Sequence, residues 1–345
     1  MVNIRVYNDT DKRSWDEYVM GSHGSCCYHQ LEWKNVIEKS FGNRAHYLLA
    51  EDSGKICGIF PLVQLKSMIF GNFMVSLPYF NYGGICADTP GIEQQLLGQA
   101  IKTATDEKAG HIEMRHLRPV GFLGLEEKKT KVSMKLELPG TPEELWKSFS
   151  SKLRNQINRP LKEAMLVRVG RHAELNNFYR VFSANMRDLG TPVYKKDFFR
   201  NILDEFPESA WIITVCLKSG EPAAGGFFTA FKDTVEIPWA SSLRSYNRLG
   251  PNMLLYWSGL KLACEKGYRI FDFGRSTPGE GTYKFKEQWG AAPVQLYWHY
   301  WMRDGGTMPE INPKNAKYRM PIKIWQRLPI GMTRLIGPVI AKNLP

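Results

Sequence analysis

The sequence has little cysteine, and none of it is paired at short spacing. Six cysteines stand at Cys26, Cys27, Cys57, Cys86, Cys216 and Cys264, with no C-x-x-C among them. That excludes a zinc ribbon and a thioredoxin-type motif. Cys216 lies in an apolar run, 212–217, where a thiol behaves as a small hydrophobe, so a reducing compartment is expected. Histidine is sparse as well. His111 is the one histidine on the strand face it shares with Glu113 and Arg115, too few ligands for a zinc site. No run reaches the roughly 18 uninterrupted apolar residues that span a bilayer. Residues 1–15 are polar and charged, with no basic stretch leading into an apolar one, so no signal peptide is expected and the chain reads as cytoplasmic. No fixed-period repeat is present.

Positive charge and aromatic rings are what the sequence does have. It carries 46 Lys and Arg against 34 Asp and Glu, a net charge of +12, and 12% of its residues are Phe, Trp or Tyr. Such a balance favours anionic partners: nucleic acid, nucleotide cofactors, lipid headgroups or acidic glycans. Seven of the basic residues, Lys314, Lys317, Arg319, Lys323, Arg327, Arg334 and Lys342, fall in 311–345, where there is no acid. Within 321–344, Trp325 and bulky aliphatics accompany those cations, as in a segment lying at a membrane surface. Pro321, Pro329 and Pro338 divide that segment, and it also reads as a tail folded back on the preceding domain.

The length suits two domains of about 150 residues each. The periodicities predict helices over 14–20, 30–40 and 91–109, a strand pair over 44–51 and 55–63, and a strand over 111–117. The order recurs after a helix start at Thr141, Pro142 and Glu144. Helices follow over 178–188 and 196–205, strands over 211–217, 223–231 and 234–241, a helix over 252–266 and a buried strand over 270–273. The fold class is therefore mixed α/β (α+β) sheets used twice. Residues 1–140 and 141–310 are the expected domains, with 311–345 as a basic amphipathic tail.

The stretch 271–290, FDFGRSTPGEGTYKFKEQWG, carries the most chemistry. A strand ends at Gly274, a Gly- and Ser-rich loop bears Arg275 and Ser276, and Lys284, Lys286 and Trp289 follow. A cation-bearing loop at a strand end suits phosphate or carboxylate. This stretch resembles the C-terminal signature of FemAB-like proteins, specifically the exosortase/PEP-CTERM-associated subgroup with a BioF2-like acetyltransferase domain. LPYFNYGGI at 77–85, NMRDLGTP at 185–192, 247–257 and WQRLP at 325–329 are similar to the same subgroup.

The resemblance implies a tandem GNAT-like fold and N-acyl or aminoacyl transfer to an amino group of a peptidoglycan, other cell-envelope or exopolysaccharide precursor. It implies an anionic or lipid-linked acceptor and no tightly bound cofactor. Fem enzymes take amino acids from aminoacyl-tRNA, but no heptad hairpin suited to tRNA is present, so acyl-CoA is the favoured donor. Its pyrophosphate site would be at Arg248, Gly250 and Asn252, before the helix over 252–266. Pro251 removes one N–H from that site.

For the amine's proton, the candidate bases are Glu236, between Val235 and Ile237, and Asp272, between Phe271 and Phe273. Each also reads as a structural polar residue. Tyr256 and Tyr283 serve as proton donors to the leaving group, or simply pack. Arg275, Ser276, Lys284 and Lys286 are expected to bind substrate. So is Arg154, in a basic belt with Lys152, Arg159, Lys162, Arg168 and Arg171. Asn81 and Tyr82, beside Gly83 and Gly84, form either an acceptor-binding loop or a tight turn. Glu113 and Arg115 read as a surface ion pair on one strand face. A non-catalytic module that binds an anionic glycan or lipid carrier is the alternative to the transferase, and nucleic-acid binding rests on charge alone.

Overall fold

The computed structural model describes residues 2–68, 70–122, 124–306, 308–309 and 316–344. Lys314 and the expected tail boundary at 311 lie outside the described residues, as does the side chain of Lys317. The chain divides into two units. One comprises Met1–Val132, Gln295–Ile311 and Lys342–Pro345; the other comprises Ser133–Val294 and Asn312–Ala341.

The first unit holds two sheets. Strands Asn3–Val6, Leu48–Asp52, Lys55–Phe60 and Cys86–Ala87 form one, in that order. Strands Val63–Ser67, Gly71–Val75, His111–His116, Tyr297–Met302 and Glu126–Lys128 form the other. Helix Pro90–Asp106 starts where Thr89 accepts a hydrogen bond from the Ile92 N–H, with Pro90 in the first turn. Its Leu96, Ala100 and Ala104 are buried in the same core as Leu48, Phe60, Met74 and Ile112.

The central strand of the second sheet corrects the reading of Glu113 and Arg115 as surface groups. Gly71–Val75 flanks His111–His116 in parallel and Tyr297–Met302 flanks it antiparallel. Both of its edges are therefore paired, and the face that bears Glu113 and Arg115 is buried as well. Glu113 and Arg115 form an ion pair at 2.7 Å, and both are buried. Arg115 also donates to the Phe80 carbonyl and lies 4.5 Å from the Trp298 ring centre.

The second unit is built on a seven-stranded sheet. Its order is Leu166–Gly170, Ala210–Cys216, Pro222–Phe231, Thr234–Ser242, Ile270–Ser276, Val132–Glu137, Ala292–Gln295. The hairpin partners are antiparallel, whereas Thr234–Ser242 and Ile270–Ser276 run parallel. Helix Pro251–Glu265 makes the crossover that a parallel pair requires. Phe227 pairs with Trp239 and Thr229 with Glu236, so Ile237 and Pro238 oppose Phe228 alone. A bulge accommodates Pro238, which has no N–H for the ladder.

Two helical layers cover this sheet. Helix Pro251–Glu265 lies on the face of Phe228 and Phe271; a Cβ at Gly259 would come within 2.5 Å of Phe228. Helices His172–Leu189 and Lys196–Glu205 lie on the opposite face, where Phe178 and Phe199 pack on Phe227 and Trp239.

The tail forms helices Ala316–Arg327 and Ile330–Ala341, separated at Leu328 and Pro329. Pro321 and Pro338 lie inside these helices rather than breaking them. One side of Ile330–Ala341 packs on the second unit: Thr333, Gly337, Pro338 and Ala341 are buried. Arg334 Nε donates to Ser183 Oγ at 2.9 Å. No helix among the described residues is long and apolar enough to cross a membrane.

Candidate functional site

Two of the central strands of the seven-stranded sheet carry buried carboxylates side by side. Glu236 and Asp272 are direct partners across the parallel pair, so their side chains share one face. That face is the one under helices His172–Leu189 and Lys196–Glu205, because Glu236 also pairs with Thr229, two residues from Phe227. Both carboxylates are buried, at 2% and 0% exposure. Two acids are retained at such depth only where donors or cations compensate them.

Asp272 is held by three groups. Its Oδ1 accepts from Ser133 Oγ at 2.6 Å and from the Gly274 N–H at 2.7 Å, and Lys135 Nζ lies 3.6 Å from Oδ2. The second bond needs the chain to turn at Gly274, whose φ of 76° is open to glycine at little cost. Ser133 and Lys135 were not singled out in the sequence. The alternation of Val132, Met134 and Leu136 with Ser133, Lys135 and Glu137 was the available signal.

Lys286 completes the cluster. Helix Gly281–Glu287 turns its side chain inward, and Nζ donates to the carbonyls of Gly274 and Arg275, both at 2.9 Å. An ammonium has three N–H groups; the third has no acceptor among the described residues. Burial lowers the Lys286 pKa, the fields of Asp272 and Glu236 oppose that, and Arg275 lowers it further, leaving it at about 8. Ser276 is buried near the end of the same strand, and its Oγ has no hydrogen-bond partner among the described residues.

Other expected residues are placed elsewhere. Tyr256 stacks on Phe273 at 5.6 Å and contacts Phe285 and Trp289. Because Phe271 and Phe273 alternate with Asp272, this puts Tyr256 on the opposite face from the carboxylates. Its hydroxyl pKa is raised by burial. Tyr283 is half-buried, while Arg275 and Lys284 are exposed.

Arg248 is exposed in the turn Arg244–Leu249, and Gly250, with φ of 76°, caps helix Pro251–Glu265. A Cβ on Gly250 would lie 3.5 Å from Pro160, so the C-terminal half of helix Ser151–Lys162 approaches this helix start. Asn252, in its first turn, is half-buried, as is Arg154 on helix Ser151–Lys162.

The basic belt is not one surface. Arg171 donates to the carbonyls of Leu203, Phe206 and Ala210, around the end of helix Lys196–Glu205. Asn81 and Tyr82 belong to the first unit: the Asn81 carbonyl accepts from Trp298 Nε1, and Tyr82 is buried against Tyr28. A Cβ on Gly84 would come within 2.4 Å of His116, so close packing there demands glycine.

Residues 147–287, which contain the carboxylates, Lys286 and the helix start at Gly250, match the family model of the GNAT acetyltransferase domain. The second unit carries a GNAT acetyltransferase domain. The GNAT domain makes the chain an acyltransferase. Among solved structures, the chain is similar to FemX (TM-score 0.67, 15% identity, covering 88% of this chain and 98% of FemX). It is similar to a tandem GNAT protein from the clavulanic acid biosynthesis pathway (TM-score 0.56, 10% identity, covering 90% of this chain and 100% of that one). A third is the C-terminal domain of a protein assigned as a lysylphosphatidylglycerol synthetase in Agrobacterium fabrum (TM-score 0.55, 12% identity, covering 85% and 92%). At these identities the likeness is one of fold, and it extends beyond the GNAT domain to most of the chain. No curated protein matches the sequence.

Proposed function

We propose that the GNAT domain transfers an acyl or aminoacyl group to an amino group on an anionic or lipid-linked precursor of the cell envelope or of an exopolysaccharide, at the cytoplasmic membrane face. The observation that carries this reading is the buried pair Glu236 and Asp272, whose fields act on the buried Lys286 ammonium, inside the GNAT domain. Amide formation needs a base for the amine and a donor for the oxyanion. Glu236 takes a proton as the acceptor nitrogen bonds to the donor's carbonyl carbon. The carbonyl electron pair moves to oxygen, where the third N–H of Lys286 meets it. Collapse re-forms the carbonyl and breaks the bond to the leaving sulfur or oxygen. That atom receives the proton from Glu236, or from Tyr283 with Glu236 then restoring the tyrosine. Asp272, fixed by Ser133 and the Gly274 N–H, holds Lys286 in its charged form.

Acyl-CoA is the proposed donor, with its pyrophosphate near Arg248, Gly250 and Asn252 and with Arg154 and Arg275 as anion contacts. The names FemX and lysylphosphatidylglycerol synthetase among the similar structures support an envelope or lipid acceptor. Calorimetry with acetyl-CoA and longer acyl-CoAs tests the donor. Micromolar binding that Arg248→Ala weakens by about tenfold is expected. A chain that binds and consumes neither acyl-CoA nor aminoacyl-tRNA would be a binding module, and the transferase reading would fail.

A further inference from the structure

On the helix-covered face that holds Glu236, the second unit contains a pocket of about 550 Å³ that the transfer mechanism does not use. Four arginines line it: Arg180 and Arg187 from helix His172–Leu189, Arg244 from the turn after strand Thr234–Ser242, and Arg334 from helix Ile330–Ala341. The acid lining it is Asp188, paired with Arg187 at 2.7 Å. Arg180 pairs with Glu221 at 2.8 Å. Arg244 donates to the Asp188 carbonyl and Arg334 to the Ser183 hydroxyl, and neither has a carboxylate partner among the described residues. The pocket is thus left with two uncompensated guanidinium groups, whose fork geometry suits phosphate.

An apolar stripe begins one turn along from the pocket. Ile330 and Gly331 line the pocket. Met332, Leu335, Ile336 and Val339 of the same helix are exposed, at the i, i+3, i+4, i+7 spacing of one helix face. The preceding helix adds exposed Met320 and Ile324 beside exposed Arg319, Lys323 and Arg327. Among the described residues, six of the fourteen exposed large hydrophobic side chains therefore fall within 320–339. That is a concentration rather than the scatter of an ordinary surface. Aliphatic side chains interleaved with cations, and no acid from 311 onward, match the interface of an anionic lipid layer.

We propose that this pocket takes the phosphate of an anionic phospholipid-type amphiphile, with the aliphatic chains of the lipid layer against the stripe of helix Ile330–Ala341. The inference rests on the transferase reading only in treating the amphiphile as the acceptor or its carrier. The binding itself needs no donor. Leu243, which lines the pocket, follows the end of strand Thr234–Ser242 and is seven positions on from Glu236, or roughly 20 Å of extended chain. A headgroup in the pocket would leave that length for the amine-bearing part to reach the carboxylates.

Co-sedimentation with vesicles of phosphatidylglycerol and of phosphatidylcholine tests this directly, with glycerol 1-phosphate as a chain-free competitor. The full chain is expected to bind phosphatidylglycerol vesicles and not phosphatidylcholine vesicles. Arg244→Gln alone, and Arg244→Gln with Arg334→Gln, should weaken binding by about tenfold or more. Leu335→Ser with Val339→Ser should weaken it too. Lys102→Gln with Lys218→Gln, which removes the same charge elsewhere, should not. Equal loss in the charge-matched control would show attraction by net charge alone and overturn the pocket. Full competition by glycerol 1-phosphate with no effect of the stripe variant would show a site for free phosphate and overturn the lipid assignment. Donor calorimetry on the same proteins separates the two readings. Lost vesicle binding with donor binding intact indicts the pocket residues, whereas vesicle binding by a wild-type chain that takes neither acyl-CoA nor aminoacyl-tRNA would remove the transferase and leave the lipid site.

Discussion

The two units each place a buried acid where two strands run parallel, and they compensate it differently. In the first unit, Glu113 stands opposite Val75 and is matched one to one by Arg115, which also donates to the Phe80 carbonyl and lies over the Trp298 ring. Every charge there is paired, which is how a sheet interior retains ions. In the second unit, two acids meet across the parallel pair, and the cation that feels both their fields is a lysine with one N–H that has no acceptor among the described residues and a pKa near 8. The first arrangement holds a fold together. The second keeps a proton and a positive charge in play, which is what acyl transfer to an amine requires.

The largest expected contrast comes from removing each cation. Arg115→Met leaves Glu113 buried alone and should destabilise the chain by about 3–5 kcal/mol, measured by denaturant unfolding. Lys286→Met should act on chemistry instead. Donor turnover should fall by about 10²–10³-fold with donor affinity little changed, in a protein whose near-ultraviolet dichroism stays native. If Arg115→Met also reduced turnover in a fully folded protein, the first unit would not be merely structural.

A smaller effect should appear in the pH dependence of stability. The native Lys286 pKa is lowered from 10.5 to about 8. Between those values the unfolded chain holds a proton that the native chain has released, so stability should rise with pH across that window and be flat below it. Lys286→Met should remove that rise in urea titrations. The proposed mechanism needs the ammonium, so turnover should decline as pH rises through about 8. The smallest effect belongs to Tyr256→Phe. Packed on Phe273 away from the carboxylates, it should leave turnover at the wild-type level. A loss there would mean that the two sheet faces are not functionally separate.

The order of strands and helices was legible because it depends on local periodicity. Thr141 caps its helix as its spacing predicts, and the strands at 211–217, 223–231 and 234–241 fall within a residue or two of Ala210–Cys216, Pro222–Phe231 and Thr234–Ser242. Glu236 and Asp272 were legible as candidates because each alternates with apolar neighbours. Their adjacency was not, since the register between strands 36 residues apart is set by the crossover and by the bulge at Pro238. The same limit hid Ser133 and Lys135, which reach Asp272 from a strand 139 residues earlier. Glu113 and Arg115 read as surface residues because alternation implies a solvated face. Phe80 and Trp298, distant from that strand in the sequence, cover the Arg115 side chain instead.

The central claim is that the second unit holds a lysine tuned by two buried acids. The most direct test is to follow the lysine side-chain resonances of the whole protein by NMR as pH is raised, assigning Lys286 with Lys286→Met. The account predicts one lysine titrating near 8, moving lower still in Glu236→Gln as a favourable negative charge is removed. A Lys286 that titrates with the other lysines, or that does not respond to Glu236→Gln, would contradict it.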